Sequence, residues 1–229
     1  MAIIGHQYEH PRDQLAKNLS FAWMHPLHNL EHDCNGRISW HVYGYAWVAS
    51  LSSLVYGYNT GIIAPAILFI PDSIEMGTFE MAAIVSIILI GATIGALMSG
   101  VLADRLGRRS VLASNNVIML GAAVLATLGE SSELLVVSRF VLGLGVGVAS
   151  VVPALYITEM APAHARGQLG AMNQLLGWTG IIVAYFVGYG MVTCTAGDLC
   201  WRGMFASGAV LCIFHLVSLH RLWRVYINL

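Results

Sequence analysis

Charged side chains are scarce in this sequence. Its 229 residues include 11 Lys and Arg and 12 Asp and Glu, so that 10% are charged, whereas 57% are hydrophobic. A soluble domain carries about 25% charged residues. This composition excludes a soluble globular protein and predicts an integral, multi-pass membrane protein, for which the lipid bilayer is the first partner.

Signals for several other classes of protein are also missing. The net charge is −1 and the sequence has no basic stripe, so nucleic acid is not an expected partner. We find no nucleophile–base pair, phosphate-binding glycine loop or clustered metal ligands within the apolar segments, so we expect neither an enzyme nor a cofactor. A metal site built from His25, His28, His32 and Cys34 is conceivable, but a polar N-terminal tail is the simpler interpretation.

Six apolar segments are long enough to cross a bilayer as helices, which requires about 20 residues each. They are 42–66, 80–102, 110–128, 134–156, 169–190 and 203–220. We therefore expect an all-α membrane protein in three parts. A cytoplasmic N-terminal tail covers 1–41, a six-helix transmembrane bundle covers 42–220, and a cytoplasmic C-terminal tail covers 221–229.

The basic residues are distributed asymmetrically about these segments. One side of the membrane holds Arg12, Lys17, Arg37, Arg105, Arg108, Arg109, Arg166, Arg221 and Arg224. The positive-inside rule assigns that side to the cytoplasm, so both termini are expected there, with the plasma membrane as the expected location. Cys194 and Cys200 then bracket an external loop, where an oxidising compartment would allow them to pair.

A short charged turn, reading GVLADRLGRR from Gly100 to Arg109, separates the second and third segments. A turn this short makes the flanking helices antiparallel neighbours. A second charged stretch lies between the fourth and fifth segments, on the same side. Since opposite charges at one depth can form a bridged network, we expect the two stretches to gate the cytoplasmic mouth. The residues of this gating network are Asp104, Arg105, Arg108, Arg109, Glu159 and Arg166. Separate solvated charges are the alternative interpretation.

Polar residues within the first segment are candidate substrate ligands. Tyr58 and Asn59 lie between Gly57 and Gly61, and Pro65 follows one turn later. Interrupted spans of this kind often line the cavity of a transporter. The alternative is a packing helix in which Tyr58 and Asn59 form hydrogen bonds with neighbouring helices.

Three further candidates lie in the fourth and fifth segments. Arg139 lies inside the fourth segment, where a charge costs up to roughly 3 kcal/mol. It either extends to the outer interface or faces an aqueous cavity. Asn173 and Gln174 lie within the fifth segment, and they either face the same cavity or form interhelical hydrogen bonds.

The assembled pattern resembles the sugar porter family of the major facilitator superfamily. The motifs that carry the resemblance are Tyr56–Gly61, Gly100–Arg109, Arg139–Gly147, Pro153–Gly167, Gln174 and Trp201–Phe205. The family has twelve helices in two six-helix halves, and each half consists of two inverted three-helix repeats. The six segments of this chain match the amino-terminal half.

The resemblance implies facilitated diffusion of a hexose-like sugar by alternating access. It implies that Gln174 contacts sugar hydroxyls, that Arg139 faces the central cavity and that the charged cluster forms the cytoplasmic gate. Proton-coupled relatives have Asp at the position of Asn59. Because Asn cannot carry a proton, the resemblance favours a facilitative transporter, with a proton-coupled sugar symporter as the alternative.

Three forms of function are open for a chain of this length. The first is a truncated or half-length form that does not transport alone. The second is a six-helix unit that pairs with a second half or with its own copy. The third is a transport-inactive, regulatory or receptor-like membrane protein.

Overall fold

The computed structural model describes residues 40–71, 74, 76–162, 164–194 and 198–227. Almost all of them belong to the unit Gly44–Leu229, whereas the unit Met1–Tyr43 lies nearly entirely outside the described residues. The candidate metal ligands from His25 to Cys34 therefore fall outside the described residues. The side chain of Cys194 does so as well, whereas Cys200 is buried with a free thiol, so the pairing expected for it is not present in this structure.

Seven helices occupy the described residues, and six of them are long. They are α1 (Trp40–Gly61), α2 (Ile63–Ala66), α3 (Thr78–Leu106), α4 (Arg108–Thr127), α5 (Ser132–Met160), α6 (Arg166–Cys194) and α7 (Asp198–Ile227). Each long helix coincides with one predicted segment and extends beyond it at one or both ends. The predicted all-α, six-helix architecture is confirmed.

The long helices differ in polarity. Within the described residues, α3 to α7 are long and apolar enough to cross a membrane. Helix α1 is as long as a span, with 22 residues, but it carries several polar side chains. Ser50, Ser53 and Asn59 are each at most 3% exposed, so these groups are buried among other helices and away from lipid. A shielded position allows α1 to be the sixth span despite its polarity.

Gly107 makes the turn between α3 and α4. Its φ is +83°, the only positive φ among the described residues, and its N–H donates to the Ala103 carbonyl at 3.1 Å. Residues with a side chain rarely adopt this conformation. The turn lies at what we call the basic end of the bundle, formed by 104–109, 159–162 and 164–166. At the opposite end, α4 finishes at Thr127 and α7 begins at Asp198.

Glycines bring the backbones of α3 and α5 into contact. A Cβ atom placed on Gly147 would lie 2.1 Å from the carbonyl oxygen of Ala92, and one on Gly95 would lie 2.2 Å from that of Leu144. Gly143 is similarly close to a carbonyl of α3, at 2.4 Å. The helices can approach this closely because glycine has no side chain. Lipid supplies no hydrophobic force between helices, so close packing of this kind must hold them together.

Helices α1 and α6 have an equivalent glycine contact. A Cβ on Gly57 would lie 2.1 Å from the Gly177 carbonyl oxygen, and one on Gly180 would lie 2.2 Å from that of Leu54. The first three-helix repeat comprises α1, α3 and α4, and the second comprises α5, α6 and α7. Helix α3, the second of the first repeat, packs on α5, the first of the second repeat. Helix α6, the second of the second repeat, packs on α1, the first of the first repeat. The two contacts are therefore equivalent under the symmetry that relates the repeats.

Two buried amides join the third helix of the first repeat to the second repeat. Asn116 Nδ2 donates to the Cys212 carbonyl at 2.8 Å, and Asn115 Nδ2 donates to the Gly145 carbonyl at 3.1 Å. Both asparagines are at most 3% exposed. These bonds fix α4 against α7 and α5.

At the opposite end of the bundle, Arg202 caps the C-terminus of α4. Its Nη1 and Nη2 atoms donate to the carbonyls of Thr127 and Gly129 at 3.0 and 3.1 Å. Its guanidinium also lies 4.6 Å from the ring centroid of Trp201. Arg202 thus stabilises the C-terminus of α4, where backbone carbonyls lack helical partners.

Candidate substrate and gating residues

Three of the five candidate ligands meet between α1, α5 and α7. Tyr58, Asn59 and Arg139 are each at most 3% exposed. The Tyr58 hydroxyl donates to the Met204 carbonyl at 3.2 Å and lies 2.5 Å from the Ser207 hydroxyl. Asn59 Nδ2 donates to a carbonyl one turn earlier on its own helix, at 2.9 Å. In this conformation the three side chains lie inside the bundle.

Arg139 is a buried cation without a carboxylate in the contacts described. Its Nη1 atom donates to the Asn59 carbonyl at 3.2 Å, and its guanidinium carbon lies 4.6 Å from the ring centroid of Phe205. Its Nε and Nη2 atoms have no hydrogen-bond partner among the described residues. Among the described contacts, the Asn59 carbonyl and the face of the Phe205 ring therefore stabilise this positive charge.

Asn173 and Gln174 lie on different faces of α6, because adjacent residues of a helix are about 100° apart. Asn173 is 6% exposed, and its Oδ1 atom accepts a hydrogen bond from the Ser53 hydroxyl at 2.7 Å. Gln174 is exposed, and so are its neighbours Leu175 and Trp178. Asn173 thus anchors α6 on α1, whereas Gln174 lies on the outer surface of the six-helix unit.

The candidate ligands consequently form two groups along α1. Asn173 contacts Ser53, and Arg139 contacts Asn59, six residues further along the same helix. At 1.5 Å per residue the two contact points are about 9 Å apart. The structure does not bring all five candidates together in one pocket, and Gln174 alone is exposed.

Three of the six predicted gating residues form an ionic cluster at the basic end. Arg108 Nη2 lies 2.6 Å from Glu159 Oε1 and 3.2 Å from Asp104 Oδ1. Arg108 Nη1 also donates to the Ala103 carbonyl at 3.3 Å. The cluster ties the α3–α4 turn to the end of α5. Its side chains are 30% to 70% exposed, so each ion pair contributes only a small energy.

The other three predicted gating residues have different surroundings. Arg109 Nε donates to the Tyr156 hydroxyl at 3.2 Å, and its guanidinium lies 5.7 Å from the ring centroid of Tyr45. Arg166 Nη2 donates to the carbonyl of the residue that caps α5, at 3.3 Å. Arg105 is exposed at the end of α3. The predicted network is thus a compact group of three with three basic neighbours.

The sequence marks the hydrogen-bond and ring partners of the candidates to different degrees. Ser53, the partner of Asn173, shares a helix face with Gly57 of the first motif, and that spacing was an available signal. Phe205 ends a motif, but nothing in the sequence shows that its ring covers Arg139. Ser207 has no sequence signal that marks it as a partner of Tyr58.

The exposed surface of the bundle indicates the class of protein to which the molecule belongs. Helices α3 and α6 are the least buried of the five apolar spans. Leu89 and Leu97 on α3, and Leu175 and Phe186 on α6, are more than 60% exposed. Contiguous apolar surface of this kind is incompatible with water. The molecule is therefore a multi-pass integral membrane protein built as a helical bundle.

Comparison with known proteins gives the family. The family model described as "Sugar (and other) transporter" matches residues 45–222. The chain belongs to this family, and its fold is that of the major facilitator superfamily.

Individual relatives match about three quarters of the chain. A probable metabolite transport protein of Bacillus subtilis is 38% identical over 170 residues, which are 74% of this chain and 36% of that protein. A glucose transporter of Staphylococcus epidermidis is 35% identical over 173 residues, which are 76% of this chain and 38% of that protein. The chain thus spans little more than a third of the length of these relatives.

Among solved structures, the proton:xylose symporter XylE bound to 6-bromo-6-deoxy-D-glucose is similar, with a TM-score of 0.72 and 26% identity. The match covers 79% of this chain and 44% of XylE.

Proposed function

We propose that this chain is the amino-terminal half of a transporter that carries a hexose-like sugar across the plasma membrane by facilitated diffusion. Membership of a transporter family supports transport. A glucose transporter among the relatives, and a structural neighbour bound to a glucose analogue, support a sugar as the substrate. The proposal assigns no catalytic chemistry and no cofactor.

The exposed amide of Gln174 carries the proposal. Gln174 is the ninth residue of α6, so it lies about 12 Å from the basic end of that helix, within the membrane-spanning part. An amide that faces lipid at this depth would lose its hydrogen bonds. Gln174 should therefore face water, substrate or another protein surface. Its amide both donates and accepts, which suits a sugar hydroxyl.

The buried candidates have a supporting role in this proposal. Asn173 holds α6 in position through Ser53, so that Gln174 has a fixed direction. Tyr58, Asn59 and Arg139 form the interior behind the site, and they become accessible only if the helices rearrange.

The ionic cluster is proposed as a gate at the cytoplasmic side. Arg108 joins the α3–α4 turn to α5 through Glu159, with support from Asp104. Contacts of low energy suit a gate because the two states must interconvert. Arg105, Arg109 and Arg166 add positive charge around this cluster. Under the positive-inside rule the basic end and both termini face the cytoplasm.

Facilitated diffusion is preferred over proton coupling because Asn59 cannot change its charge. The alternative mechanism is a proton-coupled sugar symport, and it is favoured by the similarity to a proton:xylose symporter. Uptake that does not respond to a pH gradient supports the first mechanism, and uptake that rises with an inward proton gradient supports the second.

The exposed apolar faces of α3 and α6 are the proposed contact surface for a partner. A second six-helix half would cover them and enclose Gln174 in a central cavity. A second copy of this chain is the other candidate partner. Either arrangement would hide apolar surface and provide the missing wall of the sugar site.

The test uses the 229-residue chain in proteoliposomes, reconstituted alone and together with a second half. In the preparation that takes up glucose, Gln174→Ala should weaken uptake, and where the chain binds glucose without flux it should weaken binding. Gln168→Ala is the matched control, because Gln168 is an exposed glutamine two turns earlier on the same helix. Equal responses of the two variants would remove Gln174 from the site.

The same assay separates the three forms of function. Flux through the isolated chain indicates a unit that pairs with its own copy. Binding without flux indicates a receptor-like protein. Flux that appears only when a second half is co-reconstituted indicates a half-transporter.

A further inference from the structure

A cavity of about 470 Å³ opens at the basic end, on the side of the bundle formed by α1, α4, α5 and α7. Small-molecule sites in proteins have volumes of about 300–1,000 Å³, so the cavity can hold a sizeable ligand. Most of its wall is apolar, with Val48, Leu112, Ala113 and Val217 among the lining residues. It is separate from the outer face of α6 that carries Gln174.

The polar part of the wall is cationic and aromatic. Arg109 lines the cavity, between the ring of Tyr45 at 5.7 Å and that of Tyr156 at 6.0 Å. The Tyr156 hydroxyl accepts a hydrogen bond from Arg109 Nε at 3.2 Å, which fixes the guanidinium in place. His220 is the other ionisable nitrogen base in the lining.

The described part of the cavity wall carries positive charge and no carboxylate. None of the described residues that line it is Asp or Glu. Arg221, directly after His220, adds a further positive charge at this end of α7. A ligand that matches this wall has a long apolar part and an anionic group at one end.

The depth of the cavity identifies the source of such a ligand. Its walls belong to α4, α5 and α7, whose apolar stretches are long enough to span the membrane, and Leu112 and Ala113 lie one turn inside α4. Because these helices span the membrane, lipid surrounds the bundle at the level of Leu112 and Ala113. Tyrosines placed where a span ends are typical of the membrane–water boundary. Basic pockets between spanning helices bind anionic lipid head groups.

We propose that this cavity binds an anionic phospholipid. An acyl chain packs along Val48, Leu112 and Val217, and the phosphate accepts hydrogen bonds from the Arg109 guanidinium, with Ser110 at the same mouth. A guanidinium is well suited to a phosphate because its donors form a planar fork. The bound lipid would join α1, α4, α5 and α7 next to the ionic cluster. The proposal does not depend on sugar transport.

The test measures lipid binding to the purified 229-residue chain by native mass spectrometry. Phosphatidylglycerol should bind about tenfold more tightly than phosphatidylcholine with the same acyl chains, and glycerol 3-phosphate should not compete. Equal binding of the two lipids would overturn the proposal. Competition by glycerol 3-phosphate would also overturn it, because the site would then recognise a soluble phosphate. This comparison needs no variant, so it holds even if a substitution impairs folding.

Four variants locate the site. Arg109→Gln should reduce the preference for phosphatidylglycerol about tenfold, whereas Arg105→Gln removes the same charge at the same end but outside the cavity and should leave it unchanged. Ala113→Phe fills the cavity and should weaken binding of both lipids, whereas Ile118→Phe, on a different and exposed face of α4 outside the cavity, should not. Equal effects within either pair would show binding to a general basic or apolar surface and would refute the proposal.

Discussion

Replacing Gly147 by alanine should loosen the contact between α3 and α5. The new Cβ atom would lie 2.1 Å from the Ala92 carbonyl oxygen and 2.6 Å from the Ala96 nitrogen, whereas ordinary contacts begin at 3.4 Å. Both obstacles are backbone atoms, so α3 must move by more than 1 Å. Overpacking of this kind costs about 1–3 kcal/mol, which exceeds the gain of up to about 1 kcal/mol that alanine brings to a helix. The variant should therefore unfold more easily.

Thermal unfolding of the purified chain in detergent, followed by circular dichroism, measures this effect. Gly121→Ala is the matched control, because Gly121 lies within α4 and a Cβ there meets nothing within 4 Å. The control should be as stable as the parent chain or slightly more stable. If Gly147→Ala and Gly121→Ala have the same midpoint, the backbones of α3 and α5 do not touch as described.

Three further experiments test other contacts. Arg202→Gln removes two charge-assisted bonds to carbonyls and should lower the unfolding free energy by about 1–3 kcal/mol in the same thermal assay. A double-mutant cycle of Arg108→Gln and Glu159→Gln should give a coupling energy of about 0.2–1 kcal/mol that decreases with salt, and no coupling would contradict the pairing. Asn59→Asp places a carboxylate on the residue whose backbone carbonyl accepts a hydrogen bond from the buried cation Arg139, so the ionised variant should be more stable than the protonated one. The stability of this variant should therefore decrease at acid pH relative to the parent chain, and an unchanged pH dependence would contradict the proximity of the two groups.

The sequence was sufficient to predict the helices but not their full lengths. Hydropathy detects the part of a helix that meets lipid, so the second segment was predicted as 80–102, whereas α3 runs from Thr78 to Leu106. The helix continues into the interface because each added turn satisfies further backbone groups. The first segment was predicted as one helix over 42–66, but the structure ends α1 at Gly61 and continues with the short helix α2. Gly61 and Pro65 give the physical reason for this break.

The charged turn was predictable because it depends on local sequence. One glycine between two helices requires a tight turn, and Gly107 provides it with a positive φ. The partners of individual arginines were not predictable, since they depend on how distant helices approach. Arg108 reaches Glu159, 51 residues away, whereas the adjacent Arg109 faces the aromatic rings of Tyr45 and Tyr156.

The candidate ligands show the same limit. Polarity within a span indicated that Asn173 and Gln174 needed partners, but periodicity did not reveal which of them faced inwards. The hydrogen bond from Ser53 to Asn173 holds Asn173 inside the bundle, so Gln174 lies on the outer surface. For Arg139 the sequence left the outer interface and a cavity as alternatives. The structure places it against the ring of Phe205, with 1% of its surface exposed in this conformation.

The central claim is that the outer face of α6 around Gln174 borders a watery sugar site in the assembled transporter. Cysteine labelling tests it most directly, in a chain whose four native cysteines have been replaced and that is reconstituted with a second half. Gln174→Cys should react with a membrane-impermeant maleimide, and glucose should slow the reaction, whereas Ile118→Cys on the exposed face of α4 should not react. A cysteine at 174 that stays unlabelled, or that labels at the same rate with and without sugar, would contradict the account.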